Sequence, residues 1–227
     1  MTARLISYSQ PFLPQDGADA SIEELISYCA RVSNPSNQNN SETSQKLLRY
    51  LIKENHWSPF EMVSVCLEVN TTRDIARQIL RHRSFSFQEF SQRYADPTKD
   101  LSYSFRNARL QDPKNRQNSI ELTEMSDVDE RVELQLNWFH KQAEVYGAAK
   151  KSYEWAIENG IAKEQARAVL PEGIMDSRLY VNGTIRSWIH YIELRSGHGT
   201  QKEHIEVARA CAKAIEPVFP MITEFCH

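Results

Sequence analysis

The sequence predicts an α/β fold of the α+β kind: a central, mostly antiparallel sheet with flanking helices and one long helix, in a single domain over residues 1–227. Three observations point there. Short alternating strand patterns are interleaved with capped amphipathic helix patterns. One helix pattern, 126–159, is much longer than the others. The chain, 227 residues with 41% hydrophobic and 25% charged, is long enough for one sizeable core.

In chain order, residues 3–8 (ARLISY) read as a strand, followed by a Pro- and Gly-bearing loop to Ala20. Ser21-Ile22-Glu23-Glu24 offers a capping box to a helix that ends near Ser33, with Ile22, Leu25, Ile26 and Cys29 at helical spacing. A polar loop over 34–40 leads to a second helix over 41–55, with Leu47, Leu48, Leu51 and Ile52 inward. Pro59 restricts Ser58 to extended geometry, so His56, Ser58 and Glu61 are expected on a loop at the mouth of the next strand. That strand, 62–69, alternates Val63, Val65, Leu67 and Val69 with Met62, Ser64, Cys66 and Glu68. Thr71-Thr72-Arg73-Asp74 then caps a helix whose Ile75, Ala76, Ile79 and Leu80 face the core. Its Arg73, Arg77 and Arg81 stack at i, i+4 and i+8 with no Glu between them, a row that favours an external anion.

Residues 95–120 are polar and irregular and read as a long surface loop, a lid or a subunit contact. The 126–159 helix, ended by Gly160, carries apolar residues on more than one face, which suits burial by neighbouring subunits as well as by its own core. Residues 163–170 form a short helix stopped by Pro171. Leu179–Val181 leads into Asn182-Gly183-Thr184, which opens a helix running to about Gly197. Ile185, Trp188, Ile189 and Ile192 are its buried side, while Arg186, His190, Glu193 and Gly197 share a stripe. Arg195 lies off that stripe, roughly 140° round from His190 on an ideal helix. Thr200-Gln201-Lys202-Glu203 reads as another capping box, for a helix stopped by Pro217.

No apolar run approaches the roughly 20 residues that span a bilayer, and the start lacks a basic and apolar leader pattern, so a cytoplasmic protein with no membrane partner is expected. Cys29, Cys66, Cys211 and Cys226 are far apart with no C-x-x-C pair, so buried thiols are expected rather than zinc ligands or disulfides. His190, His198, Glu203 and His204 match no metal-binding spacing, so no metal is expected. A net charge of −3 argues against a nucleic-acid polymer as partner, because such proteins carry a basic face that releases counterions. Anion binding must be local, which favours a small phosphorylated ligand.

The place for it is Arg81–Tyr94, RHRSFSFQEFSQRY, where Arg81, His82, Arg83 and Arg93 supply cations or donors and Ser84, Ser86 and Ser91 supply hydroxyls. A guanidinium fork matches a phosphate bidentately, and small hydroxyls and backbone N–H groups fill the remaining oxygens. The spacing Arg-His-Arg, seven residues, Ser91, with Arg77 and Gln78 one turn upstream, resembles the signature of the flavin-dependent thymidylate synthases. His56-Trp57-Ser58-Pro59-Phe60-Glu61, Arg167 before Ala168-Val169-Leu170-Pro171, and the GTQKEH string resemble further segments of that family in the same order.

The resemblance implies methylation of dUMP to dTMP, with bound FAD relaying a methylene from methylenetetrahydrofolate and hydride from NADPH, in a homotetramer. It implies that Gln78, Arg81, Glu89, Ser91, Gln92, Arg93, Arg167 and Arg195 bind dUMP, with Arg195 the catalytic cation beside the pyrimidine. It implies that Ser33, His56, Ser58, Glu61, Arg81, His82, Arg83, Asn182, Arg186 and His190 bind FAD. Ser91 reads as a phosphate ligand rather than a nucleophile, since a nucleophilic Ser needs an adjacent base oriented by a third group. No G-x-G-x-x-G occurs, so the dinucleotide is not held by a Rossmann turn. The alternative is a non-catalytic nucleotide or RNA-binding module that stacks bases on Phe85, Phe87, Phe90 and Tyr94; flavin absorbance in the purified protein separates the two.

Overall fold

The computed structural model describes residues 1–13 and 20–227; the loop expected to reach Ala20 lies largely outside them, at 14–19. The elements in order are β1 (Thr2–Tyr8), α1 (Ile22–Ala30), α2 (Ser44–Lys53), β2 (Ser64–Thr72), α3 (Arg73–Ile79), β3 (Ser86–Glu89) and α4 (Pro97–Asp100). There follow β4 (Arg109–Gln111), β5 (Ser119–Glu121), α5 (Val128–Glu158), α6 (Lys163–Ala166), β6 (Asp176–Thr184), α7 (Ile185–Ser196) and α8 (Lys202–Ile215). One sheet has the order β1-β2-β6-β3 with every neighbouring pair antiparallel, and β4 and β5 form a separate hairpin.

The local signals act as their chemistry requires. Ser21 accepts from the Glu24 backbone while the Glu24 carboxylate accepts from the Ser21 N–H, so two orphan donors of α1 are satisfied at once. Thr184 caps α7 by accepting from Ser187 N. Gly160, at φ +76°, ends α5 in the left-handed region open to glycine. On β2, Val65, Leu67 and Val69 are buried against α7 and α8, with Phe60, Leu179, Trp188 and Ile189 in the same core.

Several expectations need correction. Leu179–Val181, and the Asn182-Gly183-Thr184 expected to open a helix, belong to β6, a nine-residue central strand, and the helix begins only at Ile185. The strand's period-2 pattern is polar on the open face, with Arg178, Tyr180 and Asn182 exposed while Leu179, Val181 and Gly183 are buried. The strand expected over 62–69 runs from Ser64 to Thr72 instead, because the Ser58–Met62 segment, led by Pro59, winds into a 3-10 turn rather than a loop. Residues 95–120 are not structureless. The Asp112 carboxylate accepts from the N–H groups of Lys114 and Asn115 and from Asn118 Nδ2, closing the β4–β5 turn. No side-chain capping bond forms at the start of α8: Thr200 donates to Leu194 O, and Glu203 faces Arg109. Of the four unpaired cysteines only Cys211 is buried.

Helix α5 is 31 residues long, yet it buries only Gln142, Ala149, Tyr153 and Ala156 within the protomer. Val132, Leu136, Trp138, Phe139, Val145 and Trp155 remain exposed along it. Among the described residues no helix is long and apolar enough to cross a membrane.

Candidate active site

The Arg-His-Arg segment is the turn between α3 and β3, and buried Phe85 pins it. The Phe85 ring packs edge-on to Trp188 and Tyr191 and lies so close to Gly183 that a Cβ there would stand 2.3 Å from it. A side chain at 183 would therefore push the turn off the sheet. The same anchoring sends Arg81 and Arg83 into solvent, where neither meets a carboxylate among the described residues, and tucks His82 inward.

His82 Nε2 accepts from Arg195 Nε at 2.9 Å, and the ring lies edge-on to Tyr191 and His204. Burial, followed by the charges of Arg195 and Arg81, pushes the His82 pKa down to about 4. The ring is neutral at ordinary pH, with a lone pair on Nε2 that holds the guanidinium by one nitrogen and leaves its other two available. This off-stripe direction is what the helical spacing of Arg195 predicts.

His204 is fully buried, and burial, then Arg195 and His82, pushes its pKa down to about 3. Between pH 6.5 and these values the unfolded chain binds protons that the folded chain refuses, so stability is lost as pH falls through that window. The melting temperature is expected to drop from pH 7 to pH 5, and to drop less in His204→Asn. Identical pH dependence of melting in the two proteins would show that His204 is not a source of acid lability.

The nucleotide candidates lie at the other end of β3. Glu89 accepts from Ser177 Oγ at 2.8 Å and from Arg73 Nη1 at 3.2 Å. Ser91 begins a turn in which its carbonyl accepts from the N–H groups of Tyr94 and Ala95 and its hydroxyl faces Arg93 N at 3.4 Å. Gln92 is buried. Arg93 reaches Glu164 at 3.3 Å, and Lys163 donates to Tyr94 O, so α6 is tied to this turn with half-buried Arg167 one turn beyond Glu164. The expected Arg row is not one helical face waiting for an anion: α3 ends at Ile79, so Arg81 stands in the turn beyond it. Glu172 pairs with Arg77 at 2.5 Å and Arg73 at 3.6 Å, and Glu89 shares Arg73, so among the described residues Arg81 alone of the three has no carboxylate partner.

The flavin candidates gather in part. Arg186 donates to Glu61 at 2.6 Å, and His190 packs on Trp57 with ring centroids 4.4 Å apart, so the 56–61 segment and α7 form one surface. Burial, then Arg186, lowers the His190 pKa. His56 and Ser58 are exposed beside that surface, and Asn182 is exposed on β6 opposite Ser86 and Cys66. Ser33 is exposed just past α1, and no hydrogen bond among the described residues joins it to the others. No three His, Cys, Asp or Glu residues among those described gather as a metal site would require.

Residues 18–221 match the family model described as thymidylate synthase complementing protein. The chain is 47% identical over 224 residues to a probable flavin-dependent thymidylate synthase of Paramecium bursaria Chlorella virus 1, covering 99% of this chain and 98% of that protein. It is 49% identical over 223 residues to a flavin-dependent thymidylate synthase of Synechocystis sp., covering 98% and 97%. The chain belongs to the flavin-dependent thymidylate synthase family. Its fold is similar to that of a UMP/dUMP methylase from Streptomyces cacaoi bound with 5-Br dUMP, with a TM-score of 0.76 at 26% identity over 99% of this chain and 93% of the other.

Within this flavin-dependent thymidylate synthase fold, the contacts that sequence patterns do not reveal are those between distant segments. Glu172 meets Arg77 across 95 positions, and Trp57 meets His190 between separate elements. The pair of half-buried Arg109 with buried Glu203, at 2.7 Å, connects the β4–β5 hairpin to α8. Only the lack of a Glu within the Arg row hinted that acids had to come from elsewhere.

Proposed function

We propose that this protein methylates dUMP to dTMP with bound FAD, methylenetetrahydrofolate as carbon donor and NADPH as reductant, acting as a single-domain protomer of a cytoplasmic homotetramer. The observation that carries this reading is Arg195, half-buried and held through Nε by a neutral ring, with no carboxylate among the described residues to quench its charge. As C5 of the uracil becomes nucleophilic, negative charge grows on the pyrimidine oxygens, and a preorganised cation stabilises it more than it stabilises the ground state.

Dinucleotide chemistry fits the donors present. Arg81 and Arg83 are exposed forks suited to a pyrophosphate, and the Trp57–His190 pair with His56, Ser58 and Arg186 offers ring surface and hydrogen-bond groups. Glu61 orients Arg186. When bound, FAD supplies hydride acceptance from NADPH and passage of the one-carbon unit to the pyrimidine. Ser91, the Gln92 backbone, Arg93 and Arg167 anchor the dUMP phosphate, Gln78 and Arg81 contact the nucleotide, and Glu89 accepts from its sugar hydroxyl. Asn182 and Ser33 complete the flavin set.

The tetramer reading rests on distance as well as resemblance. The four residues of β3 separate Arg81–Arg83 from Ser91–Arg93 by roughly 13 Å of strand, so one copy's two motifs serve different ends of a ligand or different sites. Unpaired thiols suit a reducing compartment.

The test is optical and then chemical. The purified protein is expected to show flavin absorption bands, as isolated or after incubation with FAD, and to convert dUMP to dTMP with the two co-substrates. A colourless protein that gains no bands from FAD overturns the reading.

A further inference from the structure

A chain of hydrogen bonds runs from α7 through α3 to α8, and it has one possible direction. Glu203 is buried, and burial alone would raise its carboxyl. Its own backbone N–H, Gln201 and Arg109 outweigh that and hold it below the usual range. A carboxylate only accepts, so Gln201 must present Nε2 to Glu203 Oε2, at 2.9 Å. That turns Gln201 Oε1 toward Gln78, which donates to it from Nε2 at 3.0 Å. Gln78 Oε1 is then the acceptor facing His204 Nδ1 at 3.2 Å, so neutral His204 carries its proton on Nδ1. The His204 Nε2 lone pair accepts from the Tyr191 hydroxyl at 3.1 Å.

The consequence falls on Gln78. Each end of its amide has one bond in the relay, and one N–H and one oxygen lone pair remain. An amide rotated by 180° exchanges those two offers at little intrinsic cost. Tyr191, His204 and Gln78 could reverse together, because a hydroxyl, a neutral imidazole and an amide each donate and accept. Glu203 cannot reverse, and Arg109 keeps it charged at 2.7 Å.

We propose that Glu203, acting through Gln201, is a positioning residue that fixes which end of the Gln78 amide donates to the nucleotide. This rests on the reading that Gln78 contacts dUMP. Gln78 then reads a fixed pattern of donor and acceptor rather than an averaged one, and the β4–β5 hairpin, through Arg109, becomes part of substrate recognition.

Three variants test it, each assayed for dUMP dissociation constant, melting temperature and flavin absorbance. Gln78→Leu is expected to weaken dUMP binding about fivefold to tenfold, the scale of a lost neutral hydrogen bond. Gln201→Met, at a half-exposed position, is expected to weaken it about threefold or more with flavin binding unchanged. The swap Gln201→Glu with Glu203→Gln conserves charge, keeps an acceptor facing Gln78 and keeps an oxygen facing Arg109, so it should restore binding to within about twofold. If Gln201→Met binds dUMP normally while Gln78→Leu does not, the relay does not set Gln78 and the proposal is overturned. A swap that melts like the parent but binds no better than Gln201→Met also overturns it, since polarity would not be what matters. Normal dUMP binding by Gln78→Leu removes the nucleotide role of Gln78 itself, and the proposal falls with that role while the flavin reading stands.

Discussion

Arg195→Ala is expected to lower the single-turnover rate of dUMP methylation about a hundredfold or more while changing the dUMP dissociation constant by less than about threefold. The asymmetry follows from where the guanidinium sits and what holds it. His82 accepts from Nε at 2.9 Å, fixing the plane of the fork, and the His82 pKa near 4 keeps that acceptor available throughout the working pH range. On the proposed placement beside the pyrimidine, the cation is in place before charge develops there, and no reorganisation is needed when it does. Ground-state uracil is neutral, so it loses little when the cation goes. Arg195→Lys should fail almost as badly, because one ammonium cannot both donate to His82 and reach the base as a planar fork does. Arg93→Ala should show the opposite split, weaker dUMP binding with the saturated rate kept, since an exposed Arg shared with Glu164 fits a phosphate anchor. Stopped-flow single turnovers and dUMP titrations measure both quantities. Equal losses of rate and affinity in Arg195→Ala would show that the residue binds ground and transition state alike.

Which parts of this were legible in the sequence depends on how far apart the interacting residues lie. The α1 capping box, the end of α5 at Gly160 and the buried stripe of α7 depend on neighbours within a turn or two, and each formed as its spacing indicated. Arg195 parted from the His190 stripe for the same reason. Tertiary partners decided the rest. Strand β6 is not visible in the sequence, because its outward Arg178 and Asn182 look like loop residues until β2 and β3 pair with both its edges. The 95–120 region looked irregular because its order comes from the side chain of Asp112 and the distant Glu203. The Arg-His-Arg and Ser91 motifs were visible as a cluster of donors. That Glu172 quenches Arg77, while Arg81 and Arg83 meet no acid among the described residues, is not visible in the sequence, since Glu172 lies 95 positions away from Arg77.

Placing a carboxylate on either apolar stripe of α5 is expected to break the assembly and abolish activity without unfolding the protomer. At 100° per residue, Val128, Val132, Leu136 and Phe139 fall within about 80° of one another, while Leu134, Trp138 and Val145 cluster on the nearly opposite side. Both stripes are exposed in the protomer. Open clefts flank them, about 400 Å³ between Leu122, Val132 and Leu136 and about 490 Å³ between Leu110, Leu134 and Trp138. A helix with apolar stripes on two opposed sides needs a cover on each, and one partner across a two-fold axis provides one cover; two kinds of contact provide both, the arrangement of a tetramer with two-fold axes. Leu136→Glu and Trp138→Glu should therefore each destroy a different contact, because an unpaired carboxylate buried at an interface costs several kcal/mol. Light scattering should give four protomers for the parent and fewer for each single variant, while circular dichroism keeps its helical signal. Flavin absorbance should fall with the assembly if each flavin is shared between copies. Sharing is checked separately by mixing inactive Arg81→Ala with inactive Arg195→Ala under conditions of subunit exchange: where the two residues meet at one site from different copies, some mixed sites are intact and activity returns in part. A mixture that stays inactive despite proven exchange places both residues in one protomer's site, and a Leu136→Glu or Trp138→Glu variant that remains a fully active tetramer removes that stripe of α5 from the interface.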